Sequence, residues 1–132
     1  MGRKILIVED EADIRIAFEQ AFSRKGYVVR LSESAEEALE ILKQENINVM
    51  FLDLNLPEMN GVELCKQIRK MNPIAIIYAV TGYNTIFEVF ECRDAGFDDY
   101  FTKPMDLEML VKAGQDAFEK IDRWKGGIKL RK

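Results

Sequence analysis

The 132-residue sequence contains no histidine, only two cysteines, three prolines and one tryptophan. With no histidine and no CxxC pair, a zinc centre has almost nothing to be built from. Cys65 and Cys92 stand singly inside apolar helical patterns and read as reduced core thiols. The lack of histidine also removes that side chain as a general base. No apolar stretch approaches the roughly 20 residues that span a bilayer. The opening Met1-Gly2-Arg3-Lys4 leads into only a few apolar residues, too short a run for a secretory signal. The expectation is a soluble protein of the cytoplasm. Nor is there a surplus of positive charge. The net charge is −4, so bulk electrostatics do not point to nucleic acid. The one basic cluster, Lys125, Lys129, Arg131 and Lys132, reads as a solvated tail or the beginning of a linker. Internal repeats, low-complexity segments and Pro/Ser-rich stretches are absent.

What is present suits one domain. The chain is 48% hydrophobic and 32% charged, enough for a core and a soluble surface. Residues 1–122 are expected to form the domain and 123–132 a tail. Short apolar runs alternate five times with longer helical patterns. The runs are Lys4–Val8, Tyr27–Leu31, Asn48–Leu52, Ile74–Val80 and Asp98–Phe101. The first, third and fourth are almost continuously apolar, as in parallel strands covered on both faces. The second ends in Arg30 and Leu31 and fits an edge strand.

The intervening helices carry their own punctuation. Gly26 closes the first, and Ser34 with Glu37 makes a capping-box pattern before the second. The third is expected over Gly61–Met71, stopped by Asn72-Pro73, and the fourth over Thr85–Ala95, closed by Gly96. Asp106 caps the fifth, whose apolar stripe includes Leu107, Leu110, Val111, Ala117, Phe118 and Ile121. Gly114 inside that helix should cost about 1 kcal/mol relative to alanine. Five βα units with right-handed crossovers predict an α/β, flavodoxin-like (βα)5 doubly wound parallel sheet of strand order 2-1-3-4-5. In that architecture ligands bind outside the carboxyl ends of the strands.

Those ends are where the chemistry gathers. Strand one runs into Glu9-Asp10, strand three into Asp53, strand four ends at Thr81, and strand five leads to Lys103-Pro104. Three carboxylates in one crevice repel one another, and a divalent cation relieves that cost. Hard oxygen ligands suit Mg²⁺. With Lys103 counted, the four groups carry a formal −2, which one Mg²⁺ would cancel. A carboxylate can act as a nucleophile toward phosphorus, and such transfer needs mainly positioning and charge neutralisation. Asp53, at the end of the central strand, is the best nucleophile candidate. Glu9 and Asp10 are placed to hold the metal, with Lys103 and Thr81 placed for phosphoryl oxygens. Each residue alone has an ordinary reading as a turn former, helix cap or surface polar group. Their occurrence at successive strand ends is what argues for a site.

The segments "KILIVEDEADIR", "VMFLDLNLPEMNGVEL", "AVTGY" and "AGFDDYFTKPMD" together resemble receiver domains of two-component response regulators. The resemblance covers roughly residues 3–122. It implies that Glu9 and Asp10 are the acidic pair, Asp53 the phosphoacceptor and Asn55 the donor of a backbone carbonyl to Mg²⁺. It further implies that Thr81 is the switch hydroxyl, Lys103 the invariant lysine, Tyr100 the switch aromatic, and that the bond before Pro104 is cis. The acidic pair is Glu-Asp where Asp-Asp is commoner, and Phe97 stands where a small alanine is frequent. Tyr83 matches a position that tunes water access, so its bulk implies slow dephosphorylation.

The implied partners are a histidine kinase or histidine phosphotransfer protein, and a downstream effector or fused output domain. The resemblance also implies that phosphorylation adds charge beside Thr81 and Lys103 and shifts the surface of helix four, strand five and helix five. Phe87 is the first candidate for that output face. Neither direct nucleic-acid binding nor membrane insertion is implied. A flavodoxin would need a hydroxyl- and amide-rich loop after strand one, where Glu9-Asp10-Glu11 stands instead. Phosphatases of the haloacid dehalogenase type place DxD after the first strand, whereas Asp53-Leu54-Asn55 follows the third. A phosphorylation-independent binding module is the remaining alternative, against which the complete residue set argues.

Overall fold

The computed structural model describes residues 3–82 and 86–130, without the side chains of 86, 87 and 127–130. Five strands alternate with five helices: β1 (Lys4–Val8), α1 (Ala12–Ser23), β2 (Val28–Ser32), α2 (Ala35–Gln44), β3 (Val49–Asp53), α3 (Gly61–Met71), β4 (Ile76–Thr81), α4 (Ile86–Ala95), β5 (Asp99–Thr102) and α5 (Leu107–Leu130). The sheet is parallel, in the predicted order β2-β1-β3-β4-β5.

Strand side chains alternate between two faces, and both faces are covered. Ile5 and Ile7 of β1, with Val49 and Phe51 of β3, pack beneath α1 and α5 against Phe18, Phe22, Leu110 and Phe118. Leu6 and Val8, with Met50 and Leu52, face the other way, against Ala38 of α2 and Leu64, Cys65 and Ile68 of α3. This two-sided burial is why the central strands read as continuous apolar runs. β2, at the edge, is only partly buried.

The helix ends follow from local chemistry. Ser34 Oγ accepts from the Glu37 N–H, half of the expected capping box. The Glu37 carboxylate reaches one residue further back than that motif requires, to the Glu33 N–H, because the Ser34 N–H turns toward Ser32 Oγ. Asn60 Oδ1 accepts from the Glu63 N–H to cap α3, and Asp106 Oδ1 from the Glu108 N–H to cap α5. Gly26 and Gly96 take positive φ, 87° and 104°, just past α1 and α4.

β2, β3 and β5 each lie one residue later than the sequence reading, and two boundaries depart further. The fourth strand begins at Ile76 rather than Ile74, which is 67% exposed. Residues 73–75 form a turn instead. The Ala75 N–H donates to the Asn72 carbonyl, and Arg69 takes the carbonyls of Pro73 and Ala75. The last helix continues past residue 122, through Trp124 to Leu130, so the boundary suggested by the sequence falls inside a helix. Of the segment Gly82 to Phe87, Tyr83 and Thr85 and the side chain of Phe87 lie outside the described residues.

Gly114 has a packing reason. A Cβ there would come within 2.9 Å of Phe22 Cε1, so the glycine lets α5 lie directly on the α1 aromatic. The hydroxyl of Tyr78 on β4 donates to the Ala113 carbonyl at 3.1 Å, a second tie between sheet and helix.

Candidate functional site at the carboxyl edge of the sheet

Parallel pairing brings the strand-end residues level. Val8 of β1 pairs with Leu52 of β3, so Glu9 arrives beside Asp53. Asp53 in turn pairs with Val80 on β4, one residue before Thr81, and Thr81 pairs with Thr102, one residue before Lys103. The Lys103 N–H donates to the Thr81 carbonyl at 2.7 Å, which fixes the lysine's starting point. The Lys103–Pro104 peptide is cis.

Side chains meet at this edge. Lys103 Nζ donates to Asp53 Oδ2 at 3.2 Å and lies 3.0 Å from Glu9 Oε1. The contact to Glu9 is close but poorly aligned, an ion pair without a well-formed hydrogen bond, and Glu9 Oε1 has no other partner. Glu9 Oε2 accepts from the Glu11 N–H, and Asp53 Oδ1 from the Asn55 N–H at 3.0 Å. Oxygens of Glu9, Asp10 and Asp53 all lie within 4.8 Å of one another. Glu9 is 1% exposed, Asp53 3% and Thr81 0%, while Asp10 and Asn55 are open to solvent. Tyr100 is half-buried against Leu54, Ala79 and Cys92. Phe97 packs on the same group and on the neighbouring core.

The electrostatics follow from burial. Desolvation pushes the Glu9 carboxyl up to about 7, and the adjacent Asp53 adds to the rise, against a smaller opposing pull from Lys103. Burial draws the Lys103 ammonium down, but Glu9 and Asp53 outweigh it, and its pKa lies above the ordinary value. One cation is thus shared between two buried carboxylates, and a buried carboxylate oxygen remains poorly satisfied. That orphaned oxygen, with Asp10 open to solvent beside it, fits a further cation. Glu9, Asp10 and Asp53 present hard oxygen donors of the kind Mg²⁺ takes.

Two residues that the strand-end reasoning passed over bear on this edge. A Cβ on Gly61, the first residue of α3, would collide with the Asp53 carbonyl oxygen and lie 2.9 Å from Leu54 Cα. In the sequence, a glycine opening an apolar helix is the available signal. Arg15 on α1 donates from Nη1 to the Glu9 carbonyl at 2.9 Å and the Asp10 carbonyl at 3.1 Å. Its Nη2 lies 3.3 Å from Glu33 Oε1. Nothing local in the sequence distinguishes Arg15 from any helical arginine.

Comparison with known proteins agrees with the fold. The family model described as response regulator receiver domain matches residues 5–115. A cyclic di-GMP phosphodiesterase of Thermotoga maritima is 38% identical over 106 residues, 80% of this chain and 28% of that protein. The response regulator MprA of Mycobacterium ulcerans is 33% identical over 111 residues, 84% of this chain and 48% of the relative. The chain therefore spans less than half the length of either protein. Among solved structures, a CheY-like response regulator receiver domain protein from Methanospirillum hungatei superposes with a TM-score of 0.86 at 30% identity. That match covers 93% of this chain and 99% of the other. Among the described residues no helix is long and apolar enough to cross a membrane.

Proposed function

Because the chain belongs to the response regulator receiver domain family, we propose that it is a phospho-accepting switch whose acceptor is Asp53. One observation carries this reading. A carboxylate 3% exposed ends the central strand, with Lys103 Nζ at 3.2 Å and two further acidic side chains within 4.8 Å.

In the proposed transfer, an Asp53 carboxylate oxygen bonds to phosphorus as the phosphorus–nitrogen bond of a phosphohistidine donor breaks. The donor is a histidine kinase or phosphotransfer protein. Glu9, Asp10, Asp53 and the Asn55 backbone carbonyl would hold Mg²⁺, which when bound supplies positive charge against the incoming phosphoryl oxygens. Lys103 neutralises one phosphoryl oxygen, and the Thr81 hydroxyl donates to another. Asn55 keeps the acceptor oriented through its N–H.

The acyl phosphate brings nearly two negative charges next to Lys103 and Thr81. Thr81 shifts toward it, Tyr100 turns inward, and the α4-β5-α5 face changes its population of states. That face would act on a downstream protein or an output domain of the same polypeptide.

Incubation with acetyl phosphate, followed by intact mass, tests the reading. A gain of one phosphoryl group that needs Mg²⁺ and is lost in Asp53→Asn is expected. Absence of any gain in wild type, with no Mg²⁺ binding, would overturn it in favour of a phosphorylation-independent binding module.

A further inference from the structure

We propose that Arg15 is the positioning residue of the cation site, an inference that rests on reading Glu9 and Asp10 as the cation's ligands. Among the described residues, no hydrogen bond or ion pair holds the Asp10 carboxylate. Its direction is inherited from its backbone. That backbone is held by one side chain: Arg15 Nη1 donates to both the Glu9 and Asp10 carbonyls, at 2.9 and 3.1 Å. The guanidinium is also anchored at its other end, where Nη2 lies 3.3 Å from Glu33 Oε1 after β2. Arg15's side chain is only 15% exposed, although the Asp10 carbonyl and the Glu33 carboxylate that it meets lie at the surface.

The rest of the acidic turn is tied from other directions. The Glu9 N–H donates to the Ser32 carbonyl, and Glu9 Oε2 accepts from the Glu11 N–H. Those bonds fix Glu9. The Asp10 carbonyl has its side-chain donor from Arg15. Arginine suits the task because its planar fork presents several donors in fixed directions, so one group can hold two carbonyls and a carboxylate together.

Charge and position make opposite demands here. A guanidinium near the site repels an incoming cation, so on charge alone its removal would tighten Mg²⁺ binding. Loss of an outer partner that orients metal ligands typically weakens binding by about 10- to 100-fold. Positioning outweighs repulsion, and removal of Arg15 weakens the site.

Calorimetric titration of Mg²⁺ into the full chain decides between the two, with thermal unfolding measured alongside. In Arg15→Gln the dissociation constant rises by roughly tenfold or more. Arg15→Lys, which keeps the charge and one donor group, recovers part of that loss. Glu33→Gln, which leaves the carbonyl bonds in place, stays within about threefold of wild type, since it removes only an exposed partner. An Arg15→Gln protein that folds and binds Mg²⁺ as tightly as wild type, or more tightly, overturns the proposal. If Arg15→Gln does not fold, Arg15→Lys decides: weaker binding supports the proposal and wild-type binding overturns it. If wild type binds no Mg²⁺, the ligand reading itself falls and the positioning role with it. Mg²⁺ binding by wild type with no effect of Arg15 refutes the positioning role alone.

Discussion

A Cβ atom placed on Gly61 would lie 2.9 Å from Leu54 Cα and collide with the Asp53 carbonyl oxygen. The start of α3 is thus pressed against the backbone of the proposed acceptor. Gly61→Ala has no free volume to enter, and relieving the contact moves either the helix or the end of β3. Overpacking of this kind costs about 1–3 kcal/mol. Denaturant unfolding should show that loss, and acetyl phosphate labelling should slow along with it. A variant as stable as wild type and labelled at the same rate would show that the edge tolerates the shift.

Asp53→Asn is expected to stabilise the protein in Mg²⁺-free buffer while abolishing phosphorylation. Asp53 adds to the upward push that burial exerts on the Glu9 carboxyl, and asparagine removes that like charge. Relief of that repulsion should raise stability by about 1 kcal/mol. In a domain of this size that is about 3–5 °C in Tm. Thermal scans of both proteins in chelator provide the check. A lower Tm in the variant would mean that Lys103 already compensates both carboxylates.

Alkaline pH should unfold the protein through groups remote from the site. Burial pushes the Cys65 thiol up to about 12 from 9.0, the Cys92 thiol to about 11 from 9.0, and the Tyr78 hydroxyl to about 12 from 10.0. All three stay protonated in the fold at pH values where the unfolded chain ionises. Their stabilising contribution is fully present below about pH 9 and is lost as pH rises from there toward 12. Denaturation midpoints across that range should fall, and less steeply in Cys65→Ala/Cys92→Ala. Both thiols should also resist alkylating reagents until the protein unfolds.

Gly114→Ala tests packing against propensity. Alanine favours an isolated helix by about 1 kcal/mol. Here its methyl would sit 2.9 Å from Phe22 Cε1 and 3.7 Å from Ile5 Cδ1. Net destabilisation of about 1–2 kcal/mol is expected. Combining it with Phe22→Leu should cost less than the sum of the two single changes. Additive effects would place the strain elsewhere.

Much of this protein follows from local sequence. The alternation of apolar runs and helical patterns dictated five βα units, and continuous apolar strands implied a sheet buried on both faces. Parallel strands put their carboxyl ends on one edge, so Glu9, Asp10, Asp53, Thr81 and Lys103 fall together by strand order alone. The rest depends on how distant segments pack. Glu9 and Asp10 are adjacent acids in the sequence, yet one is 1% exposed and the other open to solvent. Only the fold creates that difference, because desolvation depends on what covers a side chain rather than on its neighbours along the chain. For the same reason the glycines at 61 and 114 are defined by partners on β3 and α1. The turn before Ile76 likewise depends on Arg69, and Arg15 acquires its place only when α1 brings it beside two strand-end carbonyls. Periodicity encodes which face a residue occupies. Which atoms it meets there is decided by tertiary packing.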